Sequence, residues 1–71
     1  MILKGQKFRH FKGGEYEIVA LAKDSETQEE VVVYRSLEDA SHTWVRPLAE
    51  FCENVDKPDI PHKGPRFIKF D

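Results

Sequence analysis

The chain has 71 residues, 39% of them hydrophobic and 11% aromatic, with 11 Lys and Arg against 13 Asp and Glu. That length fits one small domain spanning residues 1–71, and the apolar and aromatic content excludes wholesale disorder. A net charge of −2 and a single cysteine, Cys52, exclude nucleic-acid recognition by bulk charge and any internal disulfide framework.

Lys7-Phe8-Arg9-His10-Phe11 alternates as a strand and runs into Lys12-Gly13-Gly14, whose Gly pair can supply the positive φ of a tight hairpin. Glu15-Tyr16-Glu17-Ile18-Val19-Ala20-Leu21-Ala22 follows. Period two places Tyr16, Ile18, Ala20 and Ala22 on one face and Glu15, Glu17, Val19 and Leu21 on the other. Asp24-Ser25-Glu26-Thr27-Gln28 is rich in side chains that bond local backbone, so it reads as a turn. Residues 29–37 hold Val31-Val32-Val33-Tyr34, the strongest strand signal in the chain. Leu37-Glu38-Asp39-Ala40-Ser41 connects to a strand at His42-Thr43-Trp44-Val45-Arg46, which Pro47 ends. Leu48, Phe51, Cys52 and Val55 then share one helical face at i, i+3, i+4 and i+7, enough for two turns at most. Residues 56–65 carry Pro58, Pro61 and Pro65 without periodicity and read as a crossing loop. Arg66-Phe67-Ile68-Lys69-Phe70 closes the chain as a short strand.

Five short strands, tight connections and a helical turn before the last strand predict a mainly β fold, a small SH3-like barrel. Its expected core is Phe8, Tyr16, Ile18, Ala20, Val31, Val33, Val45, Leu48, Phe51 and Phe67 or Ile68, with Cys52 buried beside them. Charge is uneven along the chain: residues 1–12 carry +4, residues 13–56 carry −8 and residues 57–71 carry +2. Pairing of the last strand with the first would join the two basic ends into one edge. No apolar run is long enough to span a bilayer, and Met1-Ile2-Leu3 meets Lys4 at once, unlike a signal peptide. With a lone thiol, this predicts a cytoplasmic protein with no membrane partner.

Catalytic chemistry finds little purchase. His10, His42, His62 and Cys52 do not fall at the short spacings of structural zinc sites. Ser25, Ser36 and Ser41 lack a nucleophile elbow, and Gly13-Gly14 lacks the downstream residues of a phosphate loop. Glu29-Glu30 and Glu38-Asp39 lie in turns, where solvation accounts for them. No enzyme, metal or cofactor is expected. Tyr34-Arg35 and Trp44-Val45-Arg46 instead set aromatics beside guanidinium groups on neighbouring strands. His42 shares the face of Trp44 and Arg46, and Arg9 and His10 can join from the first strand. Two roles are open to this group. The single Trp can anchor a core with an Arg stem packed on it, or the group can form a stacking surface for aromatic or anionic ligands. Arg46, at a strand end, is expected to find an acid among Glu17, Glu50 and Glu53 and act structurally, leaving Arg35 for a ligand.

Phe8-Arg9-His10-Phe11-Lys12-Gly13, Tyr16-Glu17-Ile18, residues 25–35 from Ser-Glu-Thr to Val-Val-Tyr-Arg, Trp44-Val45-Arg46-Pro47 and Phe51 occur in a characteristic order. Over residues 5–55 the chain resembles the domain-of-unknown-function 1653 family of small bacterial proteins. The resemblance implies an SH3-like β-barrel and carries over no catalytic or ligand residue. Relatives tend to have Tyr-Gly after the Tyr-Arg strand where this chain has Glu38-Asp39, which removes an aromatic from that loop. The expected function is a non-catalytic module that binds a small molecule, peptide or protein partner. The alternative is weak binding of RNA or single-stranded nucleic acid by the basic edge and exposed aromatics.

Overall fold

The computed structural model describes residues 2–39, 41–56, 59 and 63–71. Strand β1 (Lys7–His10) turns into β2 (Glu15–Lys23) through residues 11–14. The His10 N–H donates to the Gly14 carbonyl at 2.7 Å and the Gly13 N–H to the His10 carbonyl at 2.8 Å. Of the Gly pair only Gly13 takes a positive φ, 112°. Residues 24–29 lead into β3 (Glu30–Ser36). Here the Asp24 carboxylate accepts the N–H groups of Glu26 at 2.8 Å and Thr27 at 3.1 Å, which hold its pKa below the ordinary value. Ser36 and Asp39 bond the local backbone in the same way before β4 (Thr43–Pro47).

Beyond β4 the chain forms α1 (Leu48–Phe51), β5 (Asn54–Asp56), β6 (Lys63–Pro65) and β7 (Phe67–Lys69). The helix is a single turn, shorter than the apolar spacing predicts. Residues 56–65 do not form one crossing loop: β5 and β6 pair as a small antiparallel sheet, with Val55 opposite Gly64. Pro65 ends β6, a two-stranded edge where its missing N–H is tolerated. The expectation for Pro58, Pro61 and His62 lies outside the described residues.

The larger sheet runs β4-β3-β2-β1-β7 and is antiparallel throughout. β7 returns to the outer side of β1, so the two basic chain ends are neighbours as anticipated. Among the described residues β4 and β7 are open edges, so the sheet does not close into the barrel that was expected. The fold is mainly β, two antiparallel sheets and one helical turn.

Phe8, Ile18, Val32, Tyr34, Phe51 and Phe67 form the core, and Ile2, Tyr16 and Leu48 pack on its rim. Phe51 stacks on Phe67 with centroids 4.1 Å apart and meets Phe8 and Tyr34 edge-on at 5.2 and 5.5 Å. Three expected core residues are misplaced. A bulge shifts the β2 register between Ile18 and Ala20, so Ile18 pairs with Tyr34 but Ala20 with Val33. An extra residue on one strand exchanges its two faces. Ala20 therefore leaves the face of Ile18, while in β3 simple alternation buries Tyr34 and puts Val33 on the other face, and Val45, which pairs with Val33, is 64% exposed. Cys52 is exposed rather than buried, because α1 ends at Phe51 and the stripe stops with it.

Candidate functional site

On the face that carries Tyr34, the sheet and the β1–β2 turn enclose a cleft of about 380 Å³. Tyr34 and Phe67 form its base, their centroids 5.6 Å apart, and Tyr16 leans against both at 5.3 and 6.0 Å. Gly14 lies under the Tyr16 ring so closely that a Cβ there would stand 2.6 Å from the Tyr16 hydroxyl. β4 supplies one wall. Trp44 pairs directly with Tyr34 in the β3–β4 ladder, and Arg46 follows it by two on the same face. Trp44 is 49% exposed, so this indole is no core anchor. The β1–β2 turn supplies the other wall through His10 and Lys12. The Lys12 N–H donates to His10 Nδ1 at 3.1 Å, which puts the proton of the neutral imidazole on Nε2. The His10 ring also meets Phe67 edge-on at 4.9 Å.

The four arginines divide sharply. Arg9 holds Glu15 at 2.6 Å, Arg35 holds Glu17 at 2.8 Å, and Arg66 holds Glu53 at 3.1 Å. Arg46 pairs with no carboxylate among the described residues. Its Nε donates to the Tyr34 hydroxyl at 3.3 Å and its guanidinium stands 5.9 Å from the Phe67 ring centre. This reverses the sequence expectation, which gave Arg46 an acid and left Arg35 available. β2 pairing explains it: Glu17 sits directly across from Arg35, on the face of the sheet away from the cleft, whereas Arg46 sits across from Val32.

Of the candidate residues, His10, Tyr34, Trp44 and Arg46 meet in the cleft, and Arg9 and Arg35 do not. His42 stands at the margin, its ring 5.9 Å from Trp44 and its Nε2 3.6 Å from Asp39. Lys12, Gly14, Tyr16 and Phe67 line the cleft without having been read as site residues. The signal for the first three was the turn next to His10, and Phe67 enters because β7 pairs with β1, bringing it opposite His10.

Among the described residues the lining contains cations and rings but no carboxylate. Such a surface attracts an anion and offers aromatic faces for stacking. A second concavity of about 450 Å³, lined by Ile2, Leu21, Glu30, Leu48 and Cys52, has the opposite character: among the described residues it is apolar, with one acid and no cation. Among the described residues no three of His, Cys, Asp and Glu gather closely enough to hold a metal ion. Among the described residues no helix is long and apolar enough to cross a membrane.

A family model described as "Protein of unknown function (DUF1653)" matches residues 6–69 of the chain. A crystal structure of a protein belonging to that family, from Bordetella bronchiseptica, is 35% identical with a TM-score of 0.75. The match covers 93% of this chain and 83% of that one. None of the curated proteins matches the chain.

Proposed function

The chain belongs to the DUF1653 family, and we propose that it is a non-catalytic binding module whose ligand enters the cleft between Trp44 and the β1–β2 turn. The observation that carries this reading is Arg46. Arg9, Arg35 and Arg66 are each matched by a glutamate, the pairing that suits a guanidinium best. Arg46 instead has a hydroxyl and a ring for neighbours, which orient it without neutralising it. Beside it Trp44 is half exposed where burial would stabilise it, an arrangement that suits a ligand better than a core. The curled sheet, with β7 beside β1 and a single helical turn, reads as an SH3-like barrel left open between β4 and β7. The unpaired thiol of Cys52 suits a reducing, cytoplasmic setting.

Extended binding of single-stranded nucleic acid is the weaker reading. On the edge that joins the two chain ends, Lys7 pairs with Asp71 and Arg9 with Glu15, so those cations are already engaged. Amide chemical shifts recorded against a panel of anionic aromatic fragments test the proposal. Perturbation should centre on His10, Lys12, Tyr16, Trp44 and Arg46. Shifts confined to the Leu21–Leu48 concavity, or to Arg35 and its face, would refute it.

A further inference from the structure

Resting on that reading of the cleft, we infer that its ligand carries a phosphate monoester next to a planar ring, as a mononucleotide does. Charge narrows the choice first. The cleft gathers Lys12, Arg46 and the imidazole of His10, with no acid among its described lining residues. One arginine suffices to grip a carboxylate in a bidentate pair. Two cationic donors that line one cleft from separate elements, the β1–β2 turn and β4, match a group with a charge near −2 and three acceptor oxygens, which is a phosphate monoester. The same cations exclude what the aromatic walls would otherwise suggest, a cage for a quaternary ammonium, because like charges would meet there.

The rings narrow it further. Trp44 is 49% exposed at the wall that holds Arg46, and an indole face beside a guanidinium stacks a planar heterocycle while the phosphate is held. At about 380 Å³ the cleft falls at the small end of the roughly 300–1,000 Å³ typical of small-molecule sites. It admits one nucleotide unit rather than several. Beyond it Arg9 is engaged by Glu15 and Lys7 by Asp71, so no row of unpaired cations continues from the cleft along β1 to follow a strand. A free mononucleotide and the 5′-phosphorylated end of a strand share this chemistry.

The full chain, ¹⁵N-labelled, is titrated with adenosine 5′-monophosphate, adenosine, inorganic phosphate and 3-phenylpropionate. It is also titrated with a short oligonucleotide with and without a 5′-phosphate. Adenosine 5′-monophosphate should saturate shifts at His10, Lys12, Trp44 and Arg46. Adenosine, and Arg46→Gln titrated with the nucleotide, should each bind about tenfold or more weakly, the effect expected for losing a charged hydrogen bond. Preference for the phosphorylated oligonucleotide over the free nucleotide would place the source at a strand end, and the reverse preference would place it in the free nucleotide. Equal binding of adenosine and its monophosphate would overturn the phosphate assignment. So would saturation by 3-phenylpropionate with the nucleotide inert, an outcome that leaves the cleft itself as the binding site. Failure of every probe to move cleft resonances would overturn both.

Discussion

At the scale of single residues the distinction that matters is between Arg46 and Arg35. Arg35 is about half exposed and directs both Nε and Nη2 at Glu17 Oε1, at 3.1 and 2.8 Å. Exposed pairs of this kind contribute only about 0.2–1 kcal/mol, so Arg35→Lys should lower stability by no more than that. Arg46→Lys removes one hydrogen bond to a neutral hydroxyl, at a cost of about 0.5–1.5 kcal/mol. Thermal melts of the two variants beside the parent check both figures; a loss above about 3 kcal/mol for Arg46→Lys would make that residue structural. Cys52 supplies a second residue-scale outcome. The thiol is exposed at the end of α1, so the native protein should react completely with a thiol reagent as fast as a free cysteine does. Protection that persists until denaturant is added would show that the side chain is covered. Its neighbours in sequence gave the opposite impression, because Leu48, Phe51 and Val55 are all apolar. A stripe in sequence buries its members only as far as the helix continues.

At the scale of elements, α1 is a single turn whose packing rests on Phe51, 2% exposed and in ring contact with Phe8, Tyr34 and Phe67. Phe51→Ala should cost about 3–5 kcal/mol, a large share of what a chain of this size has. A melting temperature within a few degrees of the parent would mean the turn is not packed. The β1–β2 turn can be probed at Gly14, where an added Cβ would lie 2.9 Å from Tyr16 Cζ as well as close to its hydroxyl. Gly14→Ala should displace the Tyr16 ring, cost about 1–3 kcal/mol as overpacking does, and alter the near-ultraviolet circular dichroism of the aromatic cluster. An unchanged spectrum and melt would show that the ring adapts freely. Elements differ in how much of them the sequence discloses. The first hairpin is plain from alternation and its Gly pair, and the Asp24 turn from its polar run. The β5–β6 pair is hidden, because prolines and the absence of periodicity look alike in a loop and in a three-residue edge strand. The phase of β3 is hidden too. Three successive valines followed by tyrosine do not say which face is wet, and the register shift in β2 leaves no mark on composition.

For the whole molecule, the return of β7 to β1 decides what the cleft contains. It sets Phe67 opposite His10 and so joins the chain's last strand to a site otherwise built from β1 through β4. The uneven charge along the chain anticipates the proximity of the basic ends but not its outcome, since Asp71 and Glu15 engage two of those cations. Four of the seven residues singled out from the sequence meet in one place because Trp44 and Arg46 share a strand face and pair across to Tyr34 and Val32. Arg9 and Arg35 fall on the opposite face of the sheet, next in sequence to His10 and Tyr34, and His42 stands at the margin beside Trp44. If the cleft around Arg46 and Trp44 is where this protein binds, Trp44, the only tryptophan, reports on it directly. Its fluorescence should be quenched saturably by adenosine 5′-monophosphate in the parent and in Arg35→Ala, and in Arg46→Ala only at concentrations about tenfold or more higher. Equal quenching in all three proteins, or loss in Arg35→Ala with Arg46→Ala unaffected, would contradict it.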